Sequence, residues 1–129
     1  MTAPFSIECS IDEARGIVRI VTFGTIDSAE FADRCIAFFK DIDAPWRYGR
    51  LYDETQSTGV VAYEDLERMA RALNPLWNRA ETPPRVAVAN PSKLVAARMP
   101  MVSHMYAQPN HRVFATADEA EAWLLGQSY

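Results

Sequence analysis

Asp53 and Glu54 stand side by side at the end of an apolar run and are the best isolated acidic feature of the chain. His104 and His111, its two histidines, flank a stretch containing Pro109. Brought together in space, these four side chains could pass a proton between carboxylate and imidazole or hold a metal ion, the equipment of a small hydrolase. Their spacing lends this little support, since no His-Glu-x-x-His or paired-cysteine pattern accompanies them. With Arg50 or Arg98 nearby, the acidic pair becomes a structural ion pair instead. His104 near a helix end would meet terminal carbonyls, and His111 at a strand start would face solvent. Cys9 and Cys35 fall on inward-facing periodic positions, where a thiol acts as a small hydrophobe rather than a nucleophile. The five glycines are scattered, so there is neither a phosphate-binding loop nor a dinucleotide fingerprint. The residues therefore favour a chain that binds over one that catalyses, with no cofactor and no metal.

Two stretches could do the binding. Thr55-Gln56-Ser57-Thr58-Gly59 is a polar segment after a strand, read here as a loop at the strand's carboxyl end, where open α/β sheets usually place ligands. Ser, Thr and Gly also dominate ordinary turns. Met99, Met101 and Met105 surround Pro100, and adaptable methionines often line apolar pockets, although a methionine stripe is more often plain core.

The elements that position these residues follow from periodicity. Phe5, Ile7, Cys9 and Ile11 alternate with polar residues as a half-buried strand. Gly16 can close a tight turn into a second strand over 17 to 23, which gives an antiparallel hairpin. Asp27, with Glu30 three residues later, starts an amphipathic helix that buries Phe31, Cys35, Phe38 and Ile42. Tyr48 to Asp53 reads as strand three. A second helix from Tyr63 buries Leu66, Met69, Ala70 and Leu73, and Pro75 should kink or end it before Trp77. The last third, 85 to 125, reads strand, helix, strand, helix. Val86 to Ala89 is a buried strand, Asn90-Pro91 caps a helix, and His111 to Phe114 is a short strand. Thr116 and Glu119 form a capping box for a final helix that turns Ala120, Trp123 and Leu124 inward. Pro100 should break or kink the third helix by removing a hydrogen bond and clashing with the carbonyl of Ala96.

This order of elements predicts a single α/β domain of 129 residues with a mixed, mostly parallel sheet of four or five strands flanked by about four helices, in the order ββαβαβαβα. Apolar residues at 49% and charged residues at 23% suit a globular protein, and a net charge of −4 gives no reason to bind nucleic acid. Met1 to Phe5 contains no signal-peptide pattern and no apolar run approaches the roughly 20 residues of a membrane span, so a cytoplasmic chain without membrane insertion is expected. Self-association into a homodimer is open through the wet face of strand one or through the Trp46 and Trp77 regions.

Tyr-Gly-Arg-Leu-Tyr-Asp at 48 to 53, Arg-Val-Ala-Val-Ala at 85 to 89, Ala97-Arg98-Met99 and Val-Phe-Ala-Thr-Ala-Asp-Glu-Ala-Glu-Ala-Trp-Leu at 113 to 124 resemble the SpoIIAA-like, or STAS/Sec14-like, small bacterial proteins. The resemblance covers nearly the whole chain and rests mostly on packing motifs. It implies a non-catalytic regulatory module that binds a protein partner. In STAS relatives a serine in an Asp-Ser-Ser/Thr-Gly motif is phosphorylated, and Ser57 in Gln56-Ser57-Thr58-Gly59 is the nearest match, with Gln56 in place of the Asp. The Sec14-related branch implies an apolar, lipid-like ligand between the sheet and a movable helix. The resemblance and the residues together place the candidate site at Asp53, Thr55, Ser57, Thr58, Arg98, Met99, Met101 and Met105.

Overall fold

Ser6–Asp12 (β1) and Ile17–Thr25 (β2) pair antiparallel through a turn that closes on Gly16, whose φ of 67° suits a residue without a Cβ and whose N–H bonds to Asp12 O at 2.9 Å. The computed structural model describes residues 4–106 and 110–126, so the expectations at Met1 to Ala3 and at Pro109 lie outside the described residues. Ser28–Asp41 (α1) follows, with the Asp27 side chain accepting from Glu30 N at its start. A short 3-10 turn over Pro45–Arg47 leads into Gly49–Thr58 (β3), then Tyr63–Trp77 (α2), Val86–Ala89 (β4), Lys93–Met105 (α3), His111–Phe114 (β5) and Ala117–Leu124 (α4).

The five strands lie in the order β1-β2-β3-β4-β5, with every pair after the first parallel. Each crossover therefore steps one strand in the same direction. Right-handed connections of that kind put their helices on one face, and α1, α2 and α3 do share a face. There Val18, Ile20, Phe31, Phe39, Met69, Leu73 and Trp77 build the main core. On the other face α4 covers β3, β4 and β5, where Leu51, Ala87, Ala89, Phe114 and Ala120 meet. The protein is a single α/β domain, as the sequence predicts.

Several details differ from the sequence expectation. β3 does not stop at Asp53 but runs on to Thr58, because β2 continues to Thr25 and offers a partner: Phe23 pairs with Gln56, Gly24 with Ser57 and Thr25 with Thr58. A bulge between Val21 and Phe23 absorbs one extra residue of β3, and Gly59, at φ 85°, ends the strand. Helix α2 continues through Pro75 to Trp77, and α3 continues through Pro100 from Lys93 to Met105. In each case one lost hydrogen bond is outweighed by burial on either side, by Leu73 and Trp77 around Pro75 and by Val95 and Val102 around Pro100. The cap of α3 is Ser92 rather than Asn90; Asn90 Oδ1 instead accepts from Ser92 N at 2.9 Å in the turn before it. Trp77 is only 1% exposed, with its ring edge-on to Phe39, so it belongs to the core and offers no surface for self-association.

Candidate functional site

β3 is the middle strand, covered on both faces, and its side chains alternate. Leu51 turns toward α4, while Arg50, Tyr52 and Glu54 turn toward the layer of α2 and α3. Three polar residues thus sit at consecutive inward positions of a strand that would normally carry aliphatic ones. They line a cavity of about 70 Å³ between β3, β4 and the two helices. The remaining wall is mainly apolar and includes Val61, Val86, Val88, Val95, Val102 and Met99.

At the amino end of this cavity the Arg50 guanidinium lies 3.8 Å from the centroid of the Trp77 ring and is fully buried. Burial pulls its pKa down from the ordinary arginine value, and the Tyr52 hydroxyl, hydrogen-bonded to it, works in the opposite direction. Tyr52 and Tyr106 are both held protonated, chiefly by burial. His111 also reaches this wall, its ring 5.6 Å from that of Tyr106. Arg50, Val86 and His111 stand in one register row across β3, β4 and β5.

At the carboxyl end Glu54 Oε1 accepts from Asn90 Nδ2 at 2.9 Å. Burial pushes its carboxyl above the usual range, against the Asn90 hydrogen bond and the attraction of Arg98. Arg98 Nη1 donates to Val61 O at 2.9 Å and so ties α3 to the segment that leads into α2. Asn90 is itself buried and joins three elements, with its N–H on Phe114 O, its amide on Glu54 and its carbonyl on Ser92.

The residues expected from sequence divide. Arg98 and Met99 line the cavity. Met105 packs against the main core, and Met101, two residues from Met99 on an uninterrupted helix, points away and is 40% exposed. Without a break at Pro100 nothing swings the three methionines together. Asp53 accepts from Thr55 N at 3.0 Å and Thr55 Oγ1 at 2.6 Å. Ser57 Oγ sits 2.7 Å from the buried Thr22 Oγ1 and donates to Glu54 O, and the exposed Thr58 lies 3.5 Å from Thr25 Oγ1. The hydrolase constellation is not assembled. Asp53 pairs with Ala89 at one end of β4 and His111 with Val86 at the other, three residues or about 10 Å apart along the strands, and His104 is exposed on α3. Among the described residues no three His, Cys, Asp or Glu side chains gather as a metal site. Neither Asp53 nor Glu54 forms an ion pair with Arg50 or Arg98 among the described residues. Burial raises both cysteine thiols, Cys35 the more strongly.

The inward row of Arg50, Tyr52 and Glu54 differs from the sequence expectation, although its signal is present: polar residues at i, i+2 and i+4 on a strand set between two crossover helices, where both faces must be covered.

The carboxyl end of the sheet has a different character. The strand order never reverses, so no switch-point crevice opens there. Instead the starts of α1, α2 and α3 gather at that end. Val60 and Tyr63 at the start of α2 and Leu94 in the first turn of α3 are exposed, at 37%, 48% and 58%. Asp27, Glu30 and Glu64, all exposed, belong to the same helix starts.

No family model and no curated protein matches the chain. Solved structures do. One is a protein of the DUF3478 family with a SpoIIAA-like fold from Shewanella loihica, 13% identical, with a TM-score of 0.63 over 96% of this chain and 95% of that one. Another is an anti-sigma factor antagonist from Mycobacterium paratuberculosis, 14% identical, with a TM-score of 0.55 over 96% of this chain and 98% of that one. The fold is SpoIIAA-like. Among the described residues no helix is long and apolar enough to cross a membrane.

Proposed function

We propose that this chain is a non-catalytic regulatory module that docks a protein partner on the carboxyl end of its sheet. The observation that carries the reading is the exposure of Val60, Tyr63 and Leu94 at one end of the domain, framed by Asp27, Glu30 and Glu64. Exposed apolar side chains with a polar rim are the usual build of an interaction patch, and an acidic rim selects a partner with a basic one. The similarity in fold to an anti-sigma factor antagonist supports a partner that is a protein. A lipid-like ligand has less support: about 70 Å³ is well below the roughly 300 Å³ at which small-molecule pockets begin.

Ser57 lies two residues before Gly59 on this end, and a phosphate there would add up to about two negative charges to an acidic rim and loosen a basic partner. It would first have to displace the Thr22 hydroxyl.

The test is cross-linking in an extract of the source cells, followed by binding isotherms with the purified partner. Tyr63→Asp and Leu94→Asp should each weaken binding at least tenfold, Met101→Asp should leave it unchanged, and affinity should fall as salt is raised. Equal binding by all three variants overturns the assignment of the surface. Light scattering on the wild type and Tyr63→Asp separates a second copy of the chain from a different partner.

A further inference from the structure

A groove of about 800 Å³ lies at the opposite end of the sheet from the docking surface, where β2, β3 and β4 begin and α2 and α4 end. That is the size of a small-molecule site. Arg47, Arg79 and Arg85 line it, and Glu81 is its one carboxylate among the described residues. The balance is the reverse of the chain's own, which has a net charge of −4. Each of the three guanidiniums lies over an aromatic ring, Arg47 at 5.0 Å from the centroid of Tyr48, Arg79 at 4.4 Å from that of Trp46 and Arg85 at 5.0 Å from that of Trp123. Such stacking holds the cation in place and leaves N–H groups able to donate elsewhere. None of the three forms an ion pair among the described residues, whereas Arg15, Arg19 and Arg68 all do. Arginines near helix ends commonly serve the last carbonyls. Arg85 does so through Nη1 on Trp123 O, and Arg47 donates to Asp43 O, Ala44 O and the Tyr48 hydroxyl. Arg79 does not. At the end of α2 the carbonyls of Asn74, Leu76 and Trp77 accept from the N–H groups of Asn78, Arg79 and Ala80, and the Arg79 guanidinium makes no hydrogen bond among the described residues.

We propose that this groove binds a phosphomonoester, with the phosphate oxygens on Arg79 and its neighbours Arg47 and Arg85 and the carbon part of the ester along Trp46, Pro83 and Leu125. Charge selects the ligand. Three arginines against one glutamate leave a surplus of two positive charges, and a phosphomonoester brings up to about two negative ones at pH 7. A carboxylate brings only one. The guanidinium fork also matches phosphate oxygens in pairs, and arginines already held on rings lose less freedom when they meet them. The apolar part of the wall supplies the second contact, since Trp46 and Pro83 are half-buried and Leu125 is exposed. Arg47, Arg79 and Arg85 are all exposed, so the same phosphate can arrive on a small free ester or on the side chain of another protein.

The test is a titration of the full chain, isotopically labelled, with phenyl phosphate, a short phosphoserine peptide, inorganic phosphate and benzoate at constant ionic strength, followed by amide chemical shifts. Saturable shifts should appear at Gly49, Arg79 and Thr82 and not at Tyr63 or Leu94. Tighter binding of phenyl phosphate identifies a small free ester as the source, and tighter binding of the peptide a phosphorylated chain. Benzoate and inorganic phosphate should each bind about fivefold or more weakly than the better ester, one for want of charge and the other for want of a carbon part. Arg79 and Glu81 are both exposed, so exchanging them leaves the fold intact. Arg79→Gln should weaken the ester about fivefold or more, and Glu81→Gln, which removes the one opposing charge, should strengthen it. Tyr63→Asp should bind it like the wild type, so failure of the docking surface and failure of this groove are told apart. The absence of saturable shifts with either ester, an equal affinity for benzoate or inorganic phosphate, an unchanged affinity in Arg79→Gln or a weaker one in Glu81→Gln overturns the proposal.

Discussion

Replacing Ser28 with alanine should cost this fold more than a surface hydroxyl normally would. Helix α2 is capped at its start by Ala62, which has no side-chain acceptor for the first turn. The acceptor comes from α1: Ser28 Oγ takes the Ala62 N–H at 2.7 Å and donates to Asp65 Oδ2 at 2.6 Å. Asp65 is the third residue of α2, so the reciprocal cap usually formed within one helix start is here completed through a hydroxyl on a neighbouring helix. Arg68 extends the link by donating to both Asp65 and Asp33. Loss of a helix cap costs about 1 kcal/mol, and the Ala62 N–H left behind is partly shielded from water, so Ser28→Ala should destabilise by about 1–2 kcal/mol. In a domain of this length that lowers the thermal midpoint by about 4–8 °C. The Ser28 hydroxyl is also the largest influence holding the Asp65 carboxyl below its ordinary value of 3.8, ahead of the opposing effect of burial and the help of Arg68. A carboxyl depressed in the fold contributes stability above its unfolded value and loses it as pH falls through the folded one. The gap between wild type and variant should accordingly narrow below about pH 3.8. Circular dichroism melts at pH 7 and at pH 3 measure both effects, and a double-mutant cycle with Asp65→Asn isolates the coupling. A midpoint within about 1 °C of wild type at pH 7 would refute the role of Ser28 as a cap.

Glu54→Gln should stabilise the protein at neutral pH. Burial raises the Glu54 carboxyl in the fold, so its contribution is fully present below the unfolded value near 4.5 and is lost as pH rises through the folded value. Urea midpoints should be higher for the variant at pH 8 and converge with wild type by pH 4; a lower midpoint at pH 8 would contradict the assigned cause. Pro100→Ala restores the hydrogen bond to Ala96 O at an exposed position of α3, worth up to about 3 kcal/mol, less about 1 for the freer unfolded chain. A thermal midpoint that fails to rise would mean that α3 is already adapted to its proline.

Where a local rule had no competitor, the sequence showed the structure plainly. The capping box of Thr116 and Glu119 forms as expected, with Thr116 Oγ1 accepting from Glu119 N at 3.2 Å. The β1–β2 hairpin and the inward faces of α1 and α2 follow their periods. Expectations failed where a distant partner outweighed a local preference. Thr55 to Thr58 has turn composition but extends β3 because β2 is long enough to pair with it, and neither strand announces the other's length. Pro100 stays inside a helix because Val95, Val102 and Tyr106 are buried along the same element. The row Arg50, Tyr52, Glu54 was hidden for a related reason: a polar alternation normally marks a wet face, and only the central place of β3 turns that face inward.

That central place also explains why an exposed surface and an enclosed cavity coexist, with Val60 belonging to both. In a doubly wound sheet a reversal of strand order sends neighbouring crossovers to opposite faces and opens a crevice at the strand ends. Here every crossover advances in the same direction, so α1, α2 and α3 stand together on one face. The carboxyl end of the sheet then offers an exposed surface in place of a crevice, which Val60, Tyr63 and Leu94 make apolar and Asp27, Glu30 and Glu64 make acidic. Enclosed volume has to come from imperfect filling beneath the helices. β4 supplies it, because its four residues alternate Val and Ala, and Val86 and Val88 are short side chains for the space between β3 and α3. Arg50 and Tyr52 reach into that space from the longer neighbouring strand.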